Sequence, residues 1–70
     1  MSSWFKEQRL EWIHESVRIF GFINRQHIEK KFDVSTPQAS IDIRDAMKRW
    51  PNLMHYDTSA KRYVELESVI

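Results

Sequence analysis

The residues best suited to chemistry in this chain lie between 36 and 48, where an amide, an aliphatic and a guanidinium side chain recur at a regular spacing. A glutamine amide can form two hydrogen bonds with adenine, an arginine can form two with guanine, and an aliphatic side chain can pack against a thymine methyl group. Gln38, Ile41 and Arg44 supply these groups at intervals of three residues, which places them on one face of a helix. This spacing predicts a surface that reads base edges in the DNA major groove.

Groups that bind phosphate surround this face. Free backbone amides and the positive end of the helix dipole favour a phosphate near Thr36, and Arg44 can bind a phosphate instead of guanine. Asp45 repels phosphate unless Arg44 or Lys48 neutralises it, or unless it accepts from cytosine. The predicted DNA-binding residues are Thr36, Pro37, Gln38, Ser40, Ile41, Arg44, Lys48, Arg25, Ser59, Lys61 and Arg62. A solvated helix surface of mixed charge is the alternative explanation of the same pattern.

The other side of this segment predicts a helix with a buried face. Ser35 or Thr36 is the predicted N-cap of this helix, and Ser35 followed by Gln38 predicts a capping box. Pro37 suits the first turn because its missing amide costs nothing there. Pro51 blocks continuation, so the helix is predicted to span about 36–50. The apolar residues of its buried face are Ala39, Ile43, Ala46, Met47 and Trp50.

Two further helices are predicted before this one. The first begins near Ser3 or Lys6 and ends at Gly21, the only glycine, which suits the left-handed conformation at a helix C-terminus. Its apolar stripe consists of Leu10, Ile13, Val17 and Phe20. Asn24 is the predicted N-cap of the second helix, which ends at Asp33.

A turn of three residues, 33–35, separates the second helix from the third. Ile28 and Phe32 are predicted to face inward, and Val34 is predicted to fill the gap between the two helices. Two short helices joined by such a turn form a helix-turn-helix, whose second helix enters the DNA major groove.

From Leu53 onwards the hydrophobic period changes towards two, as in strands. Two strands are predicted on either side of a polar tip at 57–61, and residues 22–23 are a predicted third strand. The predicted core residues of this sheet are Tyr56 and Tyr63. The predicted fold class is therefore mainly α with a small β-hairpin. It is a winged helix-turn-helix with three helices and a two- or three-stranded antiparallel wing at about 53–66.

The composition argues against several other classes of protein. Seventy residues suffice for a single domain, predicted at 1–70, and the lack of cysteine excludes disulfides and thiolate metal sites. The three histidines share no ligand-like spacing, so neither a metal nor a cofactor is predicted. No nucleophile–base pair, carboxylate pair or phosphate-cradling glycine loop is present, so an enzyme is not predicted. No apolar run is long enough to cross a bilayer and no signal-peptide core is present, so a cytoplasmic, nucleoid-associated location without a membrane partner is expected.

Three segments of the chain resemble the N-terminal winged helix of bacterial WYL-domain transcriptional regulators. These segments are Ile23–Arg25, Val34–Ser40 and Asn52–Val64. The resemblance covers most of the chain and is closest to the branch associated with phage-defence islands. It implies a dimeric repressor or activator whose third helix enters successive major grooves. Ile41 stands where many relatives carry a polar or small residue, so their base preference does not transfer to this chain.

The leading hypothesis is a sequence-specific, double-stranded DNA-binding domain of a bacterial transcriptional regulator. A homodimer would read two half-sites about 10 bp apart or a multiple of that. Its contact is expected either in a C-terminal region outside this sequence or in the aromatic N-terminal surface. The alternative is a winged-helix protein–protein interaction module without DNA binding. A net charge of only +1 and three aromatic residues, Trp4, Phe5 and Trp12, motivate that alternative.

Overall fold

A computed structural model describes residues 3–66, which form three helices and one three-stranded antiparallel sheet. In chain order the elements are α1 (Ser3–Phe20), β1 (Phe22–Ile23), α2 (Arg25–Phe32), α3 (Thr36–Arg49), β2 (Met54–Asp57) and β3 (Arg62–Glu65). This arrangement confirms the predicted fold class. The predicted domain, 1–70, also includes residues 1, 2 and 67–70, which lie outside the described part of the chain.

The sheet is attached to the helices through the end of α1. Gly21 has a φ of +87°, and its amide donates to the carbonyl of Val17 at 2.8 Å, which ends the helix in a left-handed turn. The carbonyl of Gly21 then accepts from the amide of Glu65 at 2.9 Å, so that the chain enters the sheet directly. The strand order is β1-β3-β2, and the predicted third strand is confirmed.

The core draws on every helix and on two of the strands. Its buried apolar residues are Leu10, Ile13, Val17, Ile23, Ile28, Ala39, Ile43, Ala46, Leu53 and Met54. The half-buried residues packed against this core are Trp12, Phe32, Val34, Met47, Trp50 and Tyr63. The predicted inner face of α3 therefore lies in or against the core, and Val34 packs where it was predicted. Within residues 3–66, no helix combines the length and hydrophobicity needed to cross a bilayer.

Two predicted core residues are exposed. Phe20 is 69% exposed because it is the last residue of α1 and lies at the edge of the apolar stripe. Ile23 of β1 is buried in the core in its place. Tyr56 is 46% exposed because it lies near the tip of the wing and faces an open cleft. Its partner across the strands, Tyr63, is half-buried, and the two rings meet edge to face with their centres 4.9 Å apart.

The helix caps explain where α2 and α3 begin. The Asn24 side chain accepts from the His27 amide, and His27 Nδ1 accepts from the Asn24 amide at 3.2 Å, which is a capping box that the sequence reading did not predict. The Ser35 hydroxyl accepts from the Gln38 amide at 3.3 Å, as predicted. The second half of the predicted capping box is absent from α3, because the Gln38 side chain donates to Asp42 instead. The bond that Nε2 donates to Asp42 is charge-assisted, and it is therefore stronger than the bond that Oε1 would accept from the neutral Ser35 amide.

Candidate nucleic-acid interface

The exposed face of α3 carries the residues predicted to contact bases. Ile41 is 36% exposed, Arg44 is exposed, and Gln38 is half-buried. The exposed residues around them are Thr36, Pro37 and Lys48, and Ser40 is half-buried. The structure thus brings together all seven predicted residues of this helix on a surface that the core does not occupy.

Asp42 is the main residue of this site that the sequence reading missed. Its side chain is fully buried, and Arg9 of α1 donates to both of its oxygens, at 2.5 Å from Nε and 3.2 Å from Nη2. Gln38 Nε2 donates to the same carboxylate at 2.9 Å. A signal was present, since Asp42 occupies a position of the apolar stripe formed by Ala39, Ile43 and Ala46. A charged residue on such a stripe indicates a buried partner.

Two more ion pairs connect α1 to α3. Lys6 pairs with Asp45, and Arg49 donates to both carboxylate oxygens of Glu7 at 2.6 Å. The hydrogen bond from Lys6 is the main reason that the pKa of Asp45 lies below its ordinary value. The hydrogen bond from Arg49 likewise lowers the pKa of Glu7. The neutralising partner of Asp45 is therefore on α1, in addition to the nearby charges on α3 considered from the sequence.

The tip of the wing is shaped by Asp57. Its Oδ1 accepts from the amides of Ser59 and Ala60 at 2.9 and 3.1 Å, and its carbonyl accepts from the amide of Lys61 at 2.7 Å. Lys61 adopts a left-handed conformation with a φ of +59°. These contacts hold the exposed side chains of Ser59 and Lys61 on a defined turn.

The two predicted cations of the wing point to different places. Arg62 is exposed, and its guanidinium lies 4.3 Å from the centre of the Phe22 ring. Lys61 instead lines an open cleft of about 520 Å³ between the wing and the N-terminal ends of α2 and α3. The structure therefore separates this sequence-adjacent pair.

The cleft brings together three of the predicted DNA-binding residues, Arg25, Thr36 and Lys61. The other residues that line it are Asn24, Gln26, Glu29, Tyr56 and Tyr63. Arg25 also donates to the hydroxyl of Ser40 at 3.3 Å, which joins α2 to α3 beside the cleft. Two cations, a hydroxyl and the first turn of a helix outnumber the single carboxylate, that of Glu29, and form a surface suited to a phosphate group.

Comparison with known proteins agrees with this architecture. Residues 6–69 match the family model described as the BrxR transcriptional regulator winged helix-turn-helix domain. The chain is 42% identical over 65 residues to the DNA-binding transcriptional repressor CapW of Pseudomonas aeruginosa, a match that covers 93% of this chain and 22% of the relative. It is 40% identical over 60 residues to CapW of Escherichia coli strain KTE188, covering 86% of this chain and 20% of the relative. The chain therefore spans about a fifth of the length of the curated relatives it matches.

Proposed function

Because the chain belongs to the BrxR family of transcriptional regulator winged helix-turn-helix domains, we propose that it is a sequence-specific, double-stranded DNA-binding domain of a bacterial transcriptional regulator. The observation that carries this proposal is the exposed face of α3, where Ile41 and Arg44 lie outside the core with Gln38 at its margin. The description of the CapW relatives as DNA-binding repressors supports it. In this proposal α3 enters the major groove, and the wing contacts the backbone or the minor groove.

The base contacts are assigned from side-chain chemistry. Gln38 bonds adenine, Arg44 bonds guanine O6 and N7 or a phosphate, and Ile41 packs against a thymine methyl group. The ion pairs described above support these roles, because both acidic residues of α3 are paired with α1. Arg44 and Lys48 remain exposed and form no ion pair with any residue between 3 and 66. The chain as a whole has a net charge of only +1, but this face of α3 is positive.

The phosphate contacts are assigned to the cleft and its borders. Arg25, Thr36 and Lys61 line the cleft, and Ser40 is hydrogen-bonded to Arg25. Pro37 and Ser59 neighbour these residues in the sequence. Lys48 lies further along α3 and Arg62 lies over the Phe22 ring, so we assign these two cations to phosphates outside the cleft. Such contacts set the position of the protein on the duplex and carry the salt dependence of binding, but little base information. A bacterial regulator that binds chromosomal DNA acts in the cytoplasm, so we propose a cytoplasmic, nucleoid-associated location.

The aromatic surface of α1 supports a second element of the proposal, a homodimer. Phe5, Trp12 and Ile19 are seven residues apart, so they lie along one line of the helix. Phe5 and Ile19 are 65% and 66% exposed, and Trp12 between them is half-buried. A second copy packed along this line would pair two recognition helices on half-sites about 10 bp apart or a multiple of that.

The same aromatic surface favours one other function, a protein–protein interaction module without DNA binding. Trp4 and Phe5 meet edge to face at 4.9 Å and are both exposed, which is unusual for two adjacent large aromatic residues unless a partner covers them. In that case α3 would be an ordinary solvated helix.

Enrichment of random DNA duplexes by the purified chain distinguishes the two functions. The proposal predicts recovery of a common sequence, and a two-fold symmetric repeat of it if the dimer forms on DNA. Fluorescence anisotropy with the enriched duplex should show an affinity that falls steeply as the salt concentration rises. Recovery of unrelated sequences, with no salt-dependent binding, would favour the protein-interaction module.

A further inference from the structure

We propose that Asp42, held by Arg9, fixes the orientation of the Gln38 amide and thereby makes Gln38 selective for adenine at one base pair. Asp42 and Arg9 act through Gln38 and are positioning residues. The inference rests on the proposed function and deepens it, because it assigns the chemical origin of the preference at that base pair.

The group that faces Asp42 is the nitrogen of the Gln38 amide. The carboxylate of Asp42 is buried, and both of its oxygens accept hydrogen bonds from Arg9, so they face the Gln38 amide as acceptors. Only the nitrogen of the Gln38 amide can face the carboxylate, at the observed 2.9 Å. The side-chain amide of a free glutamine can flip by about 180°. In Gln38 such a flip would place the amide oxygen next to a carboxylate oxygen, and the two acceptors repel each other.

The fixed amide of Gln38 leaves one hydrogen-bond acceptor and one donor available to a base. A primary amide has one N–H beside its oxygen and another pointing away from it. If Asp42 accepted from the N–H beside the oxygen, the carboxylate would also approach Oε1, which repels it. The N–H pointing away is therefore the one that bonds Asp42, and Oε1 remains next to the second N–H. This acceptor–donor pair matches the N6 donor and N7 acceptor of adenine.

The Arg9–Asp42 pair has an alternative explanation, which is a contribution to stability alone. A buried ion pair recovers little net free energy relative to apolar side chains of similar size, because both charges lose their hydration. Asp42 lies within an apolar stripe, where an aliphatic residue would pack against Ala39 and Ala46. The bond from Gln38 further satisfies the buried carboxylate, and it also fixes the direction in which the amide faces. Base preference, rather than stability, therefore distinguishes orientation from a purely structural role.

The test is an Asp42→Asn variant, measured on the enriched duplex with adenine or guanine at one position. That position is the base pair at which Gln38→Ala loses its preference. In the variant, the shorter bond from Arg9 Nε holds the asparagine oxygen at the place of Oδ2, so the asparagine nitrogen takes the place of Oδ1. That position faces Gln38, and the Gln38 amide must turn around. The outward amide then presents two N–H donors, which suit guanine O6 and N7. Wild type should prefer adenine by about tenfold, and Asp42→Asn should prefer guanine.

The matched control is Asp45→Asn, which makes the same chemical change on the same helix and also breaks a pair with α1 but does not touch Gln38. It should keep the adenine preference. If Asp42→Asn also keeps it while binding the duplex, the inference is wrong. If no duplex is enriched by wild type, the proposed function itself fails, and the base selectivity with it.

A measurement on the wild-type chain alone covers the case in which Asp42→Asn does not fold. In amide NMR spectra, the two side-chain protons of Gln38 should be well separated in chemical shift, with one exchanging slowly with solvent because it is bonded to a buried carboxylate. Two side-chain protons at the positions of a free glutamine, both exchanging rapidly, would overturn the inference.

Discussion

Arg44 lies on the exposed face of α3, and its guanidinium forms no ion pair with residues 3–66. We expect Arg44→Ala to lower the affinity for the enriched duplex by about 1–3 kcal/mol, because a bidentate bond to guanine is lost. Competition anisotropy against duplexes changed at each position should show relaxed specificity at one base pair.

The control for Arg44→Ala is Lys31→Ala, which removes an exposed cation of α2 whose ammonium lies over the Trp12 ring of α1, 6.0 Å from its centre. It should leave the specific affinity nearly unchanged. Equal effects of the two substitutions would mean that Arg44 contributes only general charge, and equal affinities of both variants and wild type would remove it from the interface.

Lys61 allows the charge of the wing to be removed without disturbing its backbone. Glycine adopts the left-handed conformation of position 61 more easily than lysine, so Lys61→Gly should keep or slightly raise stability. We expect the slope of log affinity against log salt concentration to fall in magnitude by about 1, because one phosphate contact is lost. Anisotropy titrations over a range of salt concentrations measure this slope.

Thr58→Gly is the matched control for the wing, since it introduces a glycine at the same exposed tip without removing a charge. Its salt slope should equal that of wild type. If Lys61→Gly also leaves the slope unchanged, the wing does not contact phosphate in the proposed way.

Residue types allow a prediction about the DNA-contacting surface but not about the contacts within the protein. Gln38 and Arg44 were predicted to contact bases because their side chains have a known hydrogen-bonding pattern with bases. The bond from Gln38 to Asp42 was not, because it depends on Arg9, thirty-three residues away in the sequence. Local spacing cannot reveal which side chain from another helix meets a given carboxylate.

At the scale of the elements, the pairing of α1 with α3 predicts how stability depends on pH. The hydrogen bonds from Arg49 and Lys6 lower the pKa of Glu7 and of Asp45. A depressed pKa adds stability above the ordinary value of about 4, and this contribution is lost as the pH falls through the folded-state pKa. We expect the free energy of unfolding to decrease below about pH 5 for this reason.

A double variant, Glu7→Gln with Asp45→Asn, isolates that contribution. Urea denaturation at neutral and acidic pH should show that the double variant loses less stability on acidification than wild type. Glu15→Gln is the control, because Glu15 is exposed on α1 and pairs with no residue between 3 and 66. Equal losses in wild type and the double variant would show that these pairs do not couple the helices.

The order and bounds of the elements were predictable where local chemistry determines them. Gly21, Asn24 and Ser35 mark helix ends through backbone conformation or capping, and each does so in the structure. Phe20 and Tyr56 were assigned to the core wrongly, because periodicity gives the direction of a side chain and not whether another element covers it. Coverage depends on how the sheet and helices pack, which a local pattern does not contain.

At the scale of the whole molecule, we expect two copies of the chain to associate on DNA, and we expect a double substitution on the surface of α1 to abolish this association. Replacing Phe5 and Ile19 with serine takes two exposed apolar side chains from the line on α1 and leaves the core unchanged. We expect the wild-type chain bound to its enriched duplex to sediment as two protomers per duplex, and the double variant to bind as one. Analytical ultracentrifugation measures the stoichiometry.

Phe20→Ser is the control for the dimer, because Phe20 is equally exposed but lies about 100° around the helix from Ile19. It should retain two protomers per duplex. Two protomers with the Phe5 and Ile19 double variant would place the dimer contact elsewhere, and one protomer with wild type would exclude a dimer of this domain.

The family was also predictable from the sequence, and the match over residues 6–69 confirms the resemblance. Its signals are short motifs at the start of α3 and around the wing, where the chain must satisfy a helix cap, a left-handed turn and a surface pattern at once. Asp57 and Lys61 illustrate this, because the first caps the turn that the second completes. Motifs under several such constraints identify the family more specifically than the net charge of +1 does.

The central claim is that the exposed face of α3 lies in the DNA major groove, and amide NMR of the isotope-labelled chain titrated with its enriched duplex tests it most directly. The largest chemical-shift changes should fall on residues 36–48 and on the wing tip at 58–62. In the first three turns of α1, only Phe5, Trp12 and their neighbours should shift, through the proposed dimer contact. Changes confined to α1, with the signals of Ile41 and Arg44 unmoved at saturating duplex, would contradict it.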